Sequence, residues 1–199
     1  MNLFRHLSRM HGVDRRWFLL LAVCWALVVL AGWIGLPQID PNPVDRTHPL
    51  EQLSTFALLL PVMVQISSLT IYSPWVEQTR AVRLRALQPL WLAFHWSAGV
   101  ATTMVLSLWV LPYGVDSVHA AGVWGLLFAI GSLASSGRTE SSLRFSALAL
   151  FAVLAVMTFP GLLPFSANLF YNAETTILLW IVTAAITVAA VVVPVARGM

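Results

Sequence analysis

The chain contains no lysine; its eleven basic residues are all arginine, set against eight acidic ones. A phosphate-binding loop of the P-loop type needs its lysine and imine chemistry needs a lysine amine, so this sequence supports neither route by itself. Cysteine is nearly as scarce. Cys24 stands alone inside an apolar run, which excludes an intrachain disulfide, a thiolate cluster and CxxC redox work and leaves it a packing residue. Charge of either sign is also short: charged residues make up 10% of the 199, against about 25% in a soluble domain. With 59% hydrophobic residues and a mean hydropathy of +0.82, the chain lacks the polar groups to cover a soluble surface, and lipid is the implied solvent.

What is present is a series of apolar runs. Six of them, over 17–35, 53–72, 90–111, 118–135, 145–163 and 175–195, are each long enough, or nearly so, to cross a bilayer as a helix. The length suits one compact domain over 1–199, with no room for a second soluble one. Arg5, Arg9, Arg15 and Arg16 precede the first run, Arg80, Arg83 and Arg85 follow the second, Arg138 and Arg144 flank the loop between the fourth and fifth, and Arg197 follows the sixth. Only Arg46 falls in a loop on the other side. This asymmetry predicts six spans with both termini cytoplasmic, and it accounts for the net charge of +3 without a nucleic-acid partner. Trp33, Trp109 and Tyr113 then sit near outer ends and Trp17, Trp75 and Trp91 near inner ends, as in an aromatic belt. Arg15-Arg16 before an apolar stretch also has the form of a twin-arginine export signal, but five further runs favour a first span.

Three segments outside the runs carry information. In residues 2–13, Leu3, Leu7 and Met10 fall at i, i+4, i+7 with Arg5 and Arg9 on other faces, which fits an amphipathic helix on the inner surface or a basic terminus that only sets topology. Between the second and third runs, Ser73 suits a cap and Pro74 a first helical position, while Pro89 punctuates the end, so residues 74–88 predict a helix about 20 Å long outside the bilayer. Glu77 and Arg80 are i, i+3 neighbours there, and Arg83 and Arg85 point elsewhere. The alternative is a solvated, topology-setting loop. After the fifth run, Pro160, Gly161 and Pro164 stop a straight helix, yet Leu162, Phe165, Leu169 and Phe170 keep the segment apolar. It reads as a re-entrant or interfacial element over 160–173, or as a longer, kinked fifth span.

Little chemistry is left for the interior. No Asp, Glu or Arg lies well inside a run, which argues against a proton- or ion-driven mechanism. The interior polar candidates are Gln65, His95, Thr102 and Thr103, and these residues are either helix-packing groups or lining of a pathway. A membrane haem needs two histidines on one iron. The third run extends 16 residues beyond His95, about 24 Å at helical rise, which puts His119 at the opposite face. Asp40, Asp45, His48, Glu51, Asp116 and His119 match no metal-ligand spacing and read as solvated loop ends. No catalytic, cofactor or metal residues are therefore assigned.

Together these features resemble the type-2 exporter permeases of the ATP-binding-cassette superfamily, including its G-subfamily architecture. The resemblance rests on residues 2–13, the six runs, the Glu77…Arg80…Arg83 stretch of 74–88 and residues 160–173. It implies an all-α six-transmembrane-helix bundle in a bacterial plasma membrane, with an N-terminal amphipathic interface helix, a cytoplasmic coupling helix and an outer re-entrant segment. It further implies a separate ATPase subunit engaged through Glu77, Arg80, Arg83 and Arg85, and a second permease chain in a homo- or heterodimer. The family's large extracellular domain has no counterpart here. A non-catalytic immunity or scaffold protein, and an integral-membrane enzyme, are the readings from other classes; for the exporter, the aromatic and apolar lining points to an amphiphilic or peptide-like cargo.

Overall fold

The computed structural model describes residues 13–34, 57–69, 74–109, 116–135, 140–158, 168–170 and 173–196. Among the described residues the protein is all-helical: α1 (Arg15–Ile34), α2 (Leu59–Ser67), α3 (Pro74–Trp109), α4 (Ser117–Ala134), α5 (Glu140–Thr158) and α6 (Thr176–Ala196), with a 3-10 turn at Ala173–Thr175 leading into α6.

The helix starts follow ordinary capping chemistry. Asp14 Oδ1 accepts from the Trp17 N–H at 2.9 Å, and Asp116 Oδ1 accepts from Val118 and His119 at 2.9 and 3.2 Å, so each aspartate satisfies donors that have no partner inside the helix. Behind these caps the apolar runs supply the residues that hold each helix in place.

α4 is the axis of the bundle, packing on α2, α3, α5 and α6, while α1 packs chiefly on α2. Its residues from His119 to Ala129 are buried without interruption, as befits a helix that is apolar all round. Three glycines let neighbours come close, among them Gly122 of α4, where a Cβ would lie 2.8 Å from Leu179 Cδ2 of α6. A Cβ on Gly99 of α3 would lie 2.0 Å from the Trp124 ring, and one on Gly131 of α4 would lie 2.1 Å from Ile66 Cδ1. Trp124 stacks on Phe128 with centroids 5.1 Å apart, so two flat rings fill the space between α3 and α4.

The outside is as apolar as the inside. Phe18, Leu19 and Val23 on α1, Phe145, Leu148 and Phe151 on α5, and Ile177, Ile181 and Val188 on α6 are all exposed, whereas His119, Ser146 and Thr183 are fully buried. By length and composition, Arg15–Trp33 and Ser117–Ala134 are long and apolar enough to cross a membrane; Arg144–Met157 and Thr176–Val192 are shorter apolar helices.

α4 coincides with the fourth apolar run to within one residue at each end. The helix expected over 74–88 is present but does not stop at Pro89, which lies inside α3. An internal proline costs about 3 kcal/mol, a penalty that buried residues just beyond it, Trp91 and Leu92, are placed to offset. Of the second run, the described helix covers nine residues. Residues 2–12 of the helix expected over 2–13, and 160–167 and 171–172 of the outer segment, lie outside the described residues, and Val13 is buried and non-helical.

Candidate functional site

The two buried histidines each centre a cluster of polar groups, one at the C-terminal end of α2 and one at the N-terminal end of α4. The last carbonyls of a helix have no intrahelical N–H donors, and those of α2 are met by α1, by α3 and by its own terminal serines. Trp17 Nε1 of α1 donates to the Val64 carbonyl at 3.1 Å, and Ser67 Oγ donates to the same oxygen at 2.7 Å. Ser68, the C-cap, donates its hydroxyl to the Gln65 carbonyl at 2.6 Å, and Trp91 Nε1 of α3 donates to the Ser68 carbonyl at 3.3 Å. A hydroxyl has one hydrogen, so the contact between Ser68 Oγ and His95 Nε2 at 3.0 Å is assigned as an N–H of the imidazole donating to the serine oxygen. The His95 ring is enclosed edge-on by Trp91, Phe94 and Trp17, at centroid distances of 4.6, 5.5 and 5.6 Å.

His95 is thus a buried, hydrogen-bonded packing residue that fastens α3 to α2. Gln65 is also buried, and its Oε1 has no hydrogen-bond partner among the described residues. Thr102 and Thr103 turn their hydroxyls back to the Ala98 and Gly99 carbonyls, each at 2.8 Å. Both threonines are therefore committed to their own helix. Glu77, Arg80, Arg83 and Arg85 lie on the helical first half of α3, and their side chains fall outside the described residues.

The second cluster corrects the sequence reading of His119. Instead of ending a solvated loop it is fully buried in the first turn of α4, because the Asp116 cap starts the helix just before it. Its Nε2 lies 3.0 Å from the Phe170 carbonyl, which only accepts, so Nε2 carries the hydrogen; Nδ1 lies 2.8 Å from Thr176 Oγ1. Asn168 completes the arrangement by donating from Nδ2 to the Met157 carbonyl at 2.7 Å and accepting from the Phe170 N–H at 3.0 Å. Trp180 Nε1 donates to the Val118 carbonyl at 3.3 Å. Residues 168–170 of the outer segment are thereby tied to α4, α5 and the start of α6.

The two histidines bond separate partners, Ser68 for His95 and Phe170 and Thr176 for His119, so they do not converge on one group. No three of His, Cys, Asp and Glu come together as metal ligands among the described residues. Sequence reasoning missed Ser68 and the inward roles of Trp17 and Trp91, which it assigned to an aromatic belt. The available signal was the Ser67-Ser68 pair closing an apolar run, one polar step from a helix end.

Chemically, the hydrogen bonds of both clusters hold and align the helices. In comparisons with known proteins, the chain matches no family model, no curated protein and no solved structure.

Proposed function

We propose that this chain is the membrane-embedded subunit of an ATP-binding-cassette exporter, driven by a separate ATPase. The observation that carries the reading is α3. At 36 residues it is about 54 Å long, against a hydrocarbon core of about 30 Å, and its excess length is the arginine-bearing first half. A helical extension of a span on its basic side is a fit lever for a cytoplasmic motor. The six apolar runs, the arginine asymmetry and the exposed apolar faces of α1, α5 and α6 support six spans with cytoplasmic termini in a bacterial plasma membrane.

In this reading Glu77, Arg80, Arg83 and Arg85 engage the ATPase. A second permease chain, identical or related, completes the pathway, and the cargo is amphiphilic or peptide-like. The close filling around α4 by Trp124 and Phe128 favours one other reading, a non-catalytic immunity or scaffold protein that needs no pathway. Affinity purification of the full chain in mild detergent separates the two. The exporter reading expects a nucleotide-binding subunit to co-purify in stoichiometric amount; its consistent absence favours the scaffold.

A further inference from the structure

Pro89 divides α3 into an arginine-bearing first half and an apolar second half. Proline has no N–H to offer the Arg85 carbonyl, so this is the turn at which α3 bends most readily. Immediately beyond it, residues one turn apart are tied to a single residue of another helix. Trp91 Nε1 holds the Ser68 carbonyl and His95 Nε2 holds the Ser68 hydroxyl. Ser68 is itself locked to α2: its N–H and its hydroxyl both bond the Gln65 carbonyl, and the N–H of the next residue, Leu69, bonds the Ile66 carbonyl. α2 is seated in turn by Ile66, which fills the notch at Gly131 of α4, and by Trp17 of α1. Among the described residues, α2 and α3 both pack on α4 but hardly on each other, so Ser68 is where the two helices are joined.

We propose that Ser68 is the joint through which a movement of residues 74–88 reaches the bundle: a positioning residue that makes α2 travel with the second half of α3. The proposal rests on the exporter reading above. Two bonds from successive turns of α3, one to the main chain and one to the side chain of the same residue, fix one register between the helices. Ser68, Trp91 and His95 are all at most 2% exposed, so water does not replace either bond. Apolar contacts alone allow sliding; this pair of directional bonds does not.

The test uses the full chain with its co-purified ATPase in lipid nanodiscs, comparing the parent with Ser68→Ala, Trp91→Phe and Ser68→Thr. Two quantities are read: the amount of ATPase retained, and the ratio of ATP hydrolysis by the complex to that of the ATPase alone. Trp91→Phe keeps the ring and removes only the donor, so it reports on the joint even where Ser68→Ala folds poorly. The expected result is full retention of the ATPase in all variants, loss of stimulation by about tenfold in Ser68→Ala and Trp91→Phe, and recovery in Ser68→Thr, which keeps the hydroxyl. Parent-like stimulation in both defective variants overturns the joint and leaves the exporter reading standing. Loss of the ATPase together with stimulation also overturns it, making Ser68 an assembly residue. A parent chain that retains no ATPase overturns the exporter reading, and the joint with it.

Discussion

The imidazole of His119 donates from Nε2 to the main-chain carbonyl of Phe170, 3.0 Å away and 51 residues later in the chain. Both residues are fully buried, so the bond ties the non-helical segment before α6 to the central helix without competition from water. In an apolar environment a carbonyl outside a helix must find a donor, and His119 supplies it.

Replacing His119 by leucine leaves the Phe170 carbonyl and the Thr176 hydroxyl without this partner in the interior. The expected loss is about 1–3 kcal/mol of unfolding free energy, measured by reversible denaturation in mixed micelles. His119→Gln, which retains a donor, should lose less. A leucine variant as stable as the parent would show that the segment is held by packing alone.

The two tightest glycine contacts, at Gly99 and Gly131, should respond differently to alanine. At Gly99 the new methyl meets the Trp124 ring, which is fully buried and stacked on Phe128 and has nowhere to turn. At Gly131 it meets the end of the Ile66 side chain, which rotates more cheaply. Gly99→Ala is expected to cost about 1–3 kcal/mol even after the gain in helix propensity, and Gly131→Ala less. Shortening Ile66 to valine should rescue Gly131→Ala; equal tolerance of the two glycine substitutions contradicts the packing described.

How much of this was legible in the sequence differs from one residue to the next. The run over 118–135 announces α4 almost residue for residue, because an uninterrupted apolar stretch behind an aspartate has few other ways to satisfy its backbone. His119 was misread because proximity to a loop resembles exposure. Its partners at 170 and 176 are distant in sequence, and no local pattern links them. Pro89 was read as a stop because its local cost is real; the burial of Trp91 and Leu92 that counters it belongs to tertiary packing. Gln65 and His95 were correctly picked out as interior polar residues, but the residue that organises their neighbourhood, Ser68, looked like one more serine among apolar residues.

The proposed topology, six spans with cytoplasmic termini, makes a direct prediction for accessibility. In a Cys24→Ala background, Ala173→Cys should react with a membrane-impermeant maleimide added to intact cells, and Met199→Cys should react only after the membrane is opened. Labelling of Met199→Cys from outside would require an odd number of crossings.

The most direct measurement is ATP hydrolysis by the co-purified complex in nanodiscs, with the parent chain and with Arg83→Glu. If residues 74–88 dock on an ATPase, reversing Arg83 places a like or unpaired charge at that contact and should lower both association and stimulation by tenfold or more, roughly the effect of losing one charge-assisted bond, with insertion and abundance unchanged. Glu77→Ala should act in the same direction and less strongly. Arg83→Glu and Glu77→Ala chains that bind and stimulate an ATPase as the parent does, or a parent that brings down none, would contradict the assignment of this chain as a transporter subunit.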